Sequence, residues 1–181
     1  MIYINGRFLI QNMTGVQRFA EEISLQIEYM RDDVILLVPD VKAIKKQSLL
    51  KRFNIEEVPG LNGHLWEQIT LPLYLLRRKS PLLINLGNTA PVFYSHQVVT
   101  HHDITYLKYP KSFPFSFRLL YRIISPLMIR NSKQVVTVSQ FSRSEISSQY
   151  RCQEEKIKII YNAVSDLFEP TKEVTSAPDK E

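Results

Sequence analysis

Residues 14–39 read TGVQRFAEEISLQIEYMRDDVILLVP, and two periodicities meet within them. Thr14 and Gln17 have capping-box spacing. Val16, Phe19, Ala20, Ile23, Ile27 and Met30 then recur at helical spacing, as one buried stripe requires. Val34 to Val38 follows as an unbroken apolar run closed by Pro39, the mark of a strand covered on both faces. Ile2 to Ile10, just upstream, reads as a first strand. Together these stretches predict a strand–helix–strand unit with parallel strands.

The alternation continues outward from this unit. Val41 to Phe53 is basic and reads as helical. Leu65, Trp66, Ile69, Leu73 and Leu76 form another helical stripe, with Pro72 placed to kink it. Leu82–Leu86 and Gln97–Thr100 read as short strands. Pro114 opens a helix with inner residues Phe117, Leu120, Tyr121, Ile124, Leu127 and Met128. Gln134–Val138 and Ile157–Tyr161 are strand-like, and between them Ser142 and Glu145 have capping-box spacing for a short helix. From Asp166 the chain is polar, contains Pro170 and Pro178, and has no period. The expected fold is therefore α/β, a doubly wound, mostly parallel sheet in residues 1–165. Residues 166–181 are expected to form a polar linker or the start of a further domain.

Composition narrows the function classes. The 181 residues are 44% hydrophobic and 23% charged, an ordinary globular mix. A single cysteine, Cys152, excludes an internal disulfide and any Cys-based zinc site, and it suits a reducing compartment. No apolar run approaches the roughly 18 residues that span a bilayer. Met1 to Ile10 lacks a basic region and carries Asn5, Gly6 and Arg7 inside its apolar stretch, so no signal peptide is expected and the expected location is cytoplasmic. Lys and Arg number 23 against 18 Asp and Glu, a net charge of +5, which fits an anionic partner. The basic residues are scattered and no nucleic-acid-reading motif occurs, so nucleic acid is not expected as that partner. Phe113 to Arg130, aromatic and carrying Arg118, Arg122 and Arg130, suits either a helix packed on the sheet with solvated arginines or one lying on an anionic membrane.

In an open parallel sheet, ligands bind outside the carboxyl ends of the strands. Thr14-Gly15-Val16-Gln17-Arg18 follows the first strand and leads into a helix N-terminus, where free backbone N–H groups and the helix dipole attract an anion. Gly15 has no Cβ to keep a phosphate away, and Arg18 is either a phosphate ligand or a solvated first-turn residue. The loop is neither a Walker loop nor a G-x-G-x-x-G fingerprint. Asn88 and Thr89 follow Leu82–Leu86. His101, His102 and Asp103 follow Gln97–Thr100. Ser139 follows Gln134–Val138, and Asn162 follows Ile157–Tyr161. Adjacent residues on extended chain point to opposite faces, so only one of the two histidines is expected to face a crevice. His and Asp also suit a metal, but no His stands at i, i+4 spacing with an acid, and no metal is expected.

Several of these strings resemble retaining GT-B glycosyltransferases of the group called glycosyltransferase family four. TGVQRFAEEI resembles the family's Gly-containing loop and first helix. VVTHHDITYLKYP resembles its strand, His-Asp and aromatic–Pro segment. VVTVSQFSRSEI resembles a strand–Ser–x–Phe–Ser–helix element, and KIKIIYNAV a strand ending in Asn-Gly-Val. INGRFL and NTAP are similar to the branch that builds O-antigen and capsular polysaccharides. The chain departs from the pattern at Ala163, where the family usually has Gly, and at Ser165, where it often has Asp.

The resemblance implies a Rossmann-like, acceptor-binding N-terminal domain of a GT-B fold, facing a C-terminal domain that lies outside this sequence. Glu173 and Glu181 have the spacing of that second domain's E-x7-E motif but stand in the polar tail, where the match reads as accidental. Carried over, His102 and Asp103 would be catalytic, with Asp103 orienting the histidine or binding acceptor. Gly15, Val16, Arg18, Ser139 and Asn162 would hold the donor's phosphate and sugar, and Asn88, Thr89 and His101 would lie on the acceptor side. The implied donor is a nucleotide-diphosphate sugar, the acceptor a glycan or lipid-linked glycan, and no cofactor or obligatory metal is expected. Peripheral association with the inner membrane face is a further expectation. The rival readings are a non-catalytic nucleotide- or glycan-binding module and a membrane-surface interaction protein.

Overall fold

A seven-stranded, all-parallel sheet organises the protein, in the order β3-β2-β1-β4-β5-β6-β7. The computed structural model describes residues 1–163. The expected boundary near residue 165 and the polar tail, with Ser165, Glu173 and Glu181, lie outside the described residues. The strands are β1 (Ile2–Asn5), β2 (Val34–Val38), β3 (Ile55–Glu57), β4 (Leu82–Asn85), β5 (Gln97–Thr100), β6 (Gln134–Thr137) and β7 (Ile157–Ile159). The helices are α1 (Gly15–Met30), α2 (Gly63–Leu65), α3 (Leu71–Arg77), α4 (Thr105–Lys108), α5 (Phe115–Asn131) and α6 (Gln140–Tyr150).

Register separates the two faces of the sheet. Ile4 pairs with Leu36 and with Ile84, and with Val38 these side chains meet Phe19 and Ala20 of α1 on one side. Tyr3 and Leu83 point the other way, onto Leu71 and Leu75 of α3. Val99, Val135 and Ile157 continue that second face and pack under Ile124, Met128 and Ile146. So α3, α5 and α6 share one side of the sheet and α1 takes the other, as alternating side chains on parallel strands demand.

Local structure departs from expectation in several places. The first strand stops at Asn5, whose side chain accepts the Arg7 N–H and caps a 3-10 turn over Gly6–Ile10. Gly6 sits so close to β2 that a Cβ would lie 2.9 Å from the Leu37 carbonyl oxygen. In place of a helix over Val41–Phe53 there are two 3-10 turns, Val41–Ala43 and Gln47–Lys51, and the chain then enters the short edge strand β3. Thr14 occupies the N-cap of α1, but its hydroxyl contacts the Gln17 side chain and makes no bond to a backbone N–H. At α6 the cap is Ser139, not Ser142: Ser139 Oγ accepts the Ser142 N–H at 3.0 Å.

The stripe around Pro72 departs as well. A π turn, Trp66–Thr70, joins α2 to α3, and the Leu71 N–H reaches back to the Trp66 carbonyl. Proline lacks a donor and its ring crowds the carbonyl four residues earlier. The wider turn absorbs that clash and advances the helix by one residue. Trp66, Leu71 and Leu75 are therefore buried, while Leu65, Ile69, Leu73 and Leu76 face outward. On α5 the inner face is Ile124, Ser125, Met128 and Ile129, with Leu127 turned outward.

Candidate functional site

A cavity of about 530 Å³ opens at the carboxyl edge of the sheet, where β1 and β4 end and α1 begins. Asn5 and Glu67 in its floor are held by a buried polar network running across three strands. Asn5 Nδ2 donates to Asn85 Oδ1 and to Glu67 Oε2, each at 3.0 Å. Asn85 Nδ2 donates to Gln97 Oε1 at 2.9 Å, and Gln97 Nε2 to the Pro91 carbonyl at 2.7 Å. Each amide satisfies the next, which is how polar groups persist in a core.

The network ends in charge. Glu67, on the π turn, is 2% exposed in its side chain, and Arg7 Nε stands 3.2 Å from its Oε2. Arg7 Nη2 also donates to Thr89 Oγ1 at 3.2 Å. His64 Nδ1 lies 3.7 Å from Glu67 Oε1, an oxygen with no hydrogen-bond partner among the described residues. Burial alone would raise the Glu67 pKa, but His64, Arg7 and Thr89 outweigh it and hold the carboxyl below the ordinary glutamate range. The floor is thus ionised and fixed.

The walls have different chemistry. Val16 and Gln17 bring the first turn of α1 to the rim. Because Thr14 leaves the backbone uncapped, that turn presents free N–H groups there. A Cβ built on Gly15 would meet nothing within 4 Å. Opposite stands a ladder of Phe113, Phe117 and Tyr121, with ring centroids 5.3 and 4.1 Å apart and planes nearly parallel. One wall offers donors for an anion and the other an apolar surface, the usual mix of a small-molecule site.

Of the residues singled out by sequence, Val16, Asn88 and Thr89 line this cavity and Gly15 adjoins it. His102 does not line it but is bonded to Asn88, which does. Its N–H donates to Asn88 Oδ1 at 2.9 Å, its ring meets Phe19 edge-on at 4.9 Å, and Nε2 is 3.2 Å from the Leu86 carbonyl. A carbonyl only accepts, so Nε2 carries the proton and Nδ1 is left with a lone pair. Burial holds the His102 pKa below the ordinary histidine value.

The remaining candidates stand elsewhere. His101 points to the opposite face, fully buried with Tyr106 and Tyr150, and burial pushes its pKa down to about 4. An acceptor-side role for its ring has no support in this placement. Arg18 is tied to Glu22 on the surface of α1, away from the cavity. Asp103 accepts the Thr105 N–H at the start of α4 and lines a separate cavity of about 240 Å³ with Phe141 and Ser142. Ser139 spends its hydroxyl on the α6 cap, and Asn162 is exposed beyond β7. Gly15, His102, Ser139 and Asn162 all follow carboxyl ends of strands in one sheet, yet neither of these two cavities gathers them. With strands about 4.8 Å apart, the ends of β1 and β7 are separated by roughly 19 Å.

Sequence reading missed Arg7, His64, Glu67 and the aromatic ladder. Arg7 does follow a strand. It was hidden because the apolar run to Ile10 extended that strand past its true end.

Comparison with known proteins gives this arrangement a context. A profile described as Glycosyltransferase Family 4 matches residues 13–166. A stretch of 92 residues, 46% of this chain, is 33% identical to the O-antigen chain mannosyltransferase RfbU of Salmonella typhimurium and spans 26% of that protein. The fold superposes on Anabaena Alr3699/HepE, solved in complex with UDP-glucose, with a TM-score of 0.58 and 18% identity over 90% of this chain. The complex of that protein with UDP and glucose gives a TM-score of 0.57. The chain spans less than half the length of each of these proteins.

Proposed function

This chain belongs to glycosyltransferase family 4, and we propose that it is the acceptor-side half of a retaining hexosyltransferase that uses a nucleotide-diphosphate sugar to build a bacterial surface polysaccharide. The observation that carries the reading is the cavity itself, where the uncapped start of α1 and the Arg7–Glu67 ion pair border the same space at the carboxyl edge of the sheet.

In this reading the donor's diphosphate approaches the Gly15 and Val16 N–H groups, and the absent Cβ of Gly15 leaves room for it. Neutral His102 offers the Nδ1 lone pair to a hydroxyl of the transferred sugar. The acceptor enters between Glu67–His64 and the Phe117–Tyr121 wall. Its hydroxyl oxygen bonds to the anomeric carbon on the face the diphosphate leaves. The anomeric C–O bond breaks with its electron pair going to the diphosphate, which takes up the acceptor's proton. Retention then needs no covalent intermediate on the protein, and positioning with charge stabilisation supplies the acceleration. The likeness to RfbU favours a polysaccharide acceptor and mannose, and the HepE complexes favour a UDP-sugar. UDP-glucose and GDP-mannose are thus the donors to try.

Backbone amide NMR of this chain tests the reading. Titration with either donor should shift Gly15, Val16 and Asn88, and a glycan acceptor should shift Arg7 and Tyr121. Catalysis is expected to need the donor-binding half. Silence at all five amides, or robust sugar transfer by the 181-residue chain alone, would overturn the proposal.

A further inference from the structure

The protein uses one oxygen of the Glu67 carboxylate and leaves the other unused. Oε2 accepts from Asn5 Nδ2 at 3.0 Å and lies 3.2 Å from Arg7 Nε. Oε1 is buried and has no hydrogen-bond partner among the described residues, yet Glu67 lines the cavity. His64 Nδ1, at 3.7 Å, is beyond hydrogen-bond reach. A buried polar atom without a partner is rare in a native fold and costly, more so on a charged group. Here it stands at the edge of a space large enough for a ligand of sugar size.

The neighbours of Glu67 define what fits Oε1. Asn5, bonded to both Glu67 and Asn85, holds the carboxylate in place, and Asn85 is tied in turn to Gln97. An ionised carboxylate only accepts, so the missing partner is a donor. The Arg7 guanidinium already stands against Oε2, so the carboxylate does not call for a second cation. A neutral hydroxyl suits it. The facing wall gives a bound ring cover more than direction, because Phe117 is stacked between Phe113 and Tyr121 and has no free face. Burial, and after it the nearby Glu67 carboxylate, push the Tyr121 phenol up to about 12, so that wall carries no charge.

We infer that Glu67 sets acceptor specificity by binding a second, non-reacting hydroxyl of the acceptor sugar through Oε1. The inference rests on the family 4 reading above and adds to it the hydroxyl pattern of the acceptor. The hydroxyl held by Glu67 keeps its proton in the hydrogen bond, whereas the attacking hydroxyl gives its proton to the departing diphosphate. The two are therefore different groups, and the accepted sugar has both of them free. A residue deoxygenated at the second position leaves Oε1 buried and unpaired. One that is acylated or already glycosylated there has no proton to donate. A site built to bond a hydroxyl discriminates strongly against analogues that lack it. Such a half extends an unmodified chain end and passes over a branched one.

NMR of the 181-residue chain with methyl glucoside, methyl mannoside and their singly deoxygenated forms tests the proposal. One parent glycoside should shift the Arg7 and Tyr121 amides, and loss of one particular hydroxyl should weaken binding about tenfold or more. In Glu67→Gln the side-chain amide can turn its NH2 to the place of Oε1, so the same deoxygenation should cost about threefold or less. The carboxyl-carbon resonance of Glu67 in the wild type should move with the parent glycoside and not with that deoxygenated form, a readout that needs no variant. Absence of binding by both parents, an equal penalty in wild type and Glu67→Gln, or an unmoved Glu67 carboxyl resonance overturns the inference. Donor-induced shifts at Gly15 and Val16 that persist in those cases leave the proposed function standing, whereas their loss would remove both.

Discussion

Arg7 Nε lies 3.2 Å from Glu67 Oε2, joining the turn that ends β1 to the π turn 60 residues later, directly beneath the cavity. Both groups are largely buried, and Asn5 adds a hydrogen bond to the same carboxylate oxygen. Removing one partner of such a pair strands the other in a poorly solvated place.

Glu67→Ala is therefore expected to destabilise the fold by about 3 kcal/mol. Glu67→Gln, which keeps the Asn5 contact region filled, should cost less. The folded Glu67 pKa is depressed, so its contribution is present above the unfolded value near 4.5 and is lost as pH falls through the folded value. Urea unfolding at pH 7 and pH 4 measures both effects. Equal midpoints for wild type and Glu67→Ala at pH 7 would refute the assignment.

His101 gives a second, separable pH dependence. In the unfolded chain it protonates near 6.5, whereas in the fold its pKa is pushed down to about 4. The unfolded state binds the extra proton between those values, so stability falls as pH drops through that window, by roughly 3 kcal/mol in all. Its Nδ1 has no hydrogen-bond partner among the described residues, so His101→Phe should be tolerated at pH 7 and should flatten the acid limb. A limb of unchanged slope in this variant would place the titration elsewhere.

Two glycines separate folding from ligand approach. A Cβ at Gly6 would press on the Leu37 carbonyl and the Val38 side chain at 2.9 Å, so Gly6→Ala should cost about 1–3 kcal/mol. Gly15→Ala meets no atom and should leave the melting temperature unchanged or slightly raised. Under the proposed function it should still weaken the donor-induced amide shifts. Undiminished shifts in Gly15→Ala would remove that loop from phosphate binding.

His102→Ala, made in an assembly that contains both halves, should lower kcat by roughly tenfold to a hundredfold while the fold persists. The variant leaves a gap beside Phe19, so circular dichroism and the melting temperature must accompany the kinetics. Wild-type turnover would take His102 out of the reaction.

Much of the fold was legible because parallel strands buried on both faces leave unbroken apolar runs, as Val34–Val38 does. The edge strand β3 escaped notice, since only half of Ile55-Glu56-Glu57 is apolar and its outer edge is free. The helical stripe through Leu65 and Leu73 was read on the wrong face because a fixed 3.6-residue period cannot anticipate the π turn before Pro72. At the site, the rule of strand exits found Val16, Asn88 and Thr89. It failed at Arg7, because β1 ends at a tight Asn5–Gly6 turn inside a continuous apolar run. Glu67 and His64 come from a helix, not from a strand end, and only the tertiary fold brings them to Arg7.

The central seam of the sheet pairs Ile2 with Leu82. Every other neighbouring pair of strands is bridged by a shorter excursion of chain, so this junction pays the largest loop-closure entropy in the molecule. Assembly is then expected to proceed as two wings, one built on α1 and the other on α5, that zip along their common border last. Asn5 and Asn85 lie on opposite sides of that border, so the polar floor of the cavity forms only when the wings join, and a chain caught half-assembled has no binding pocket at all.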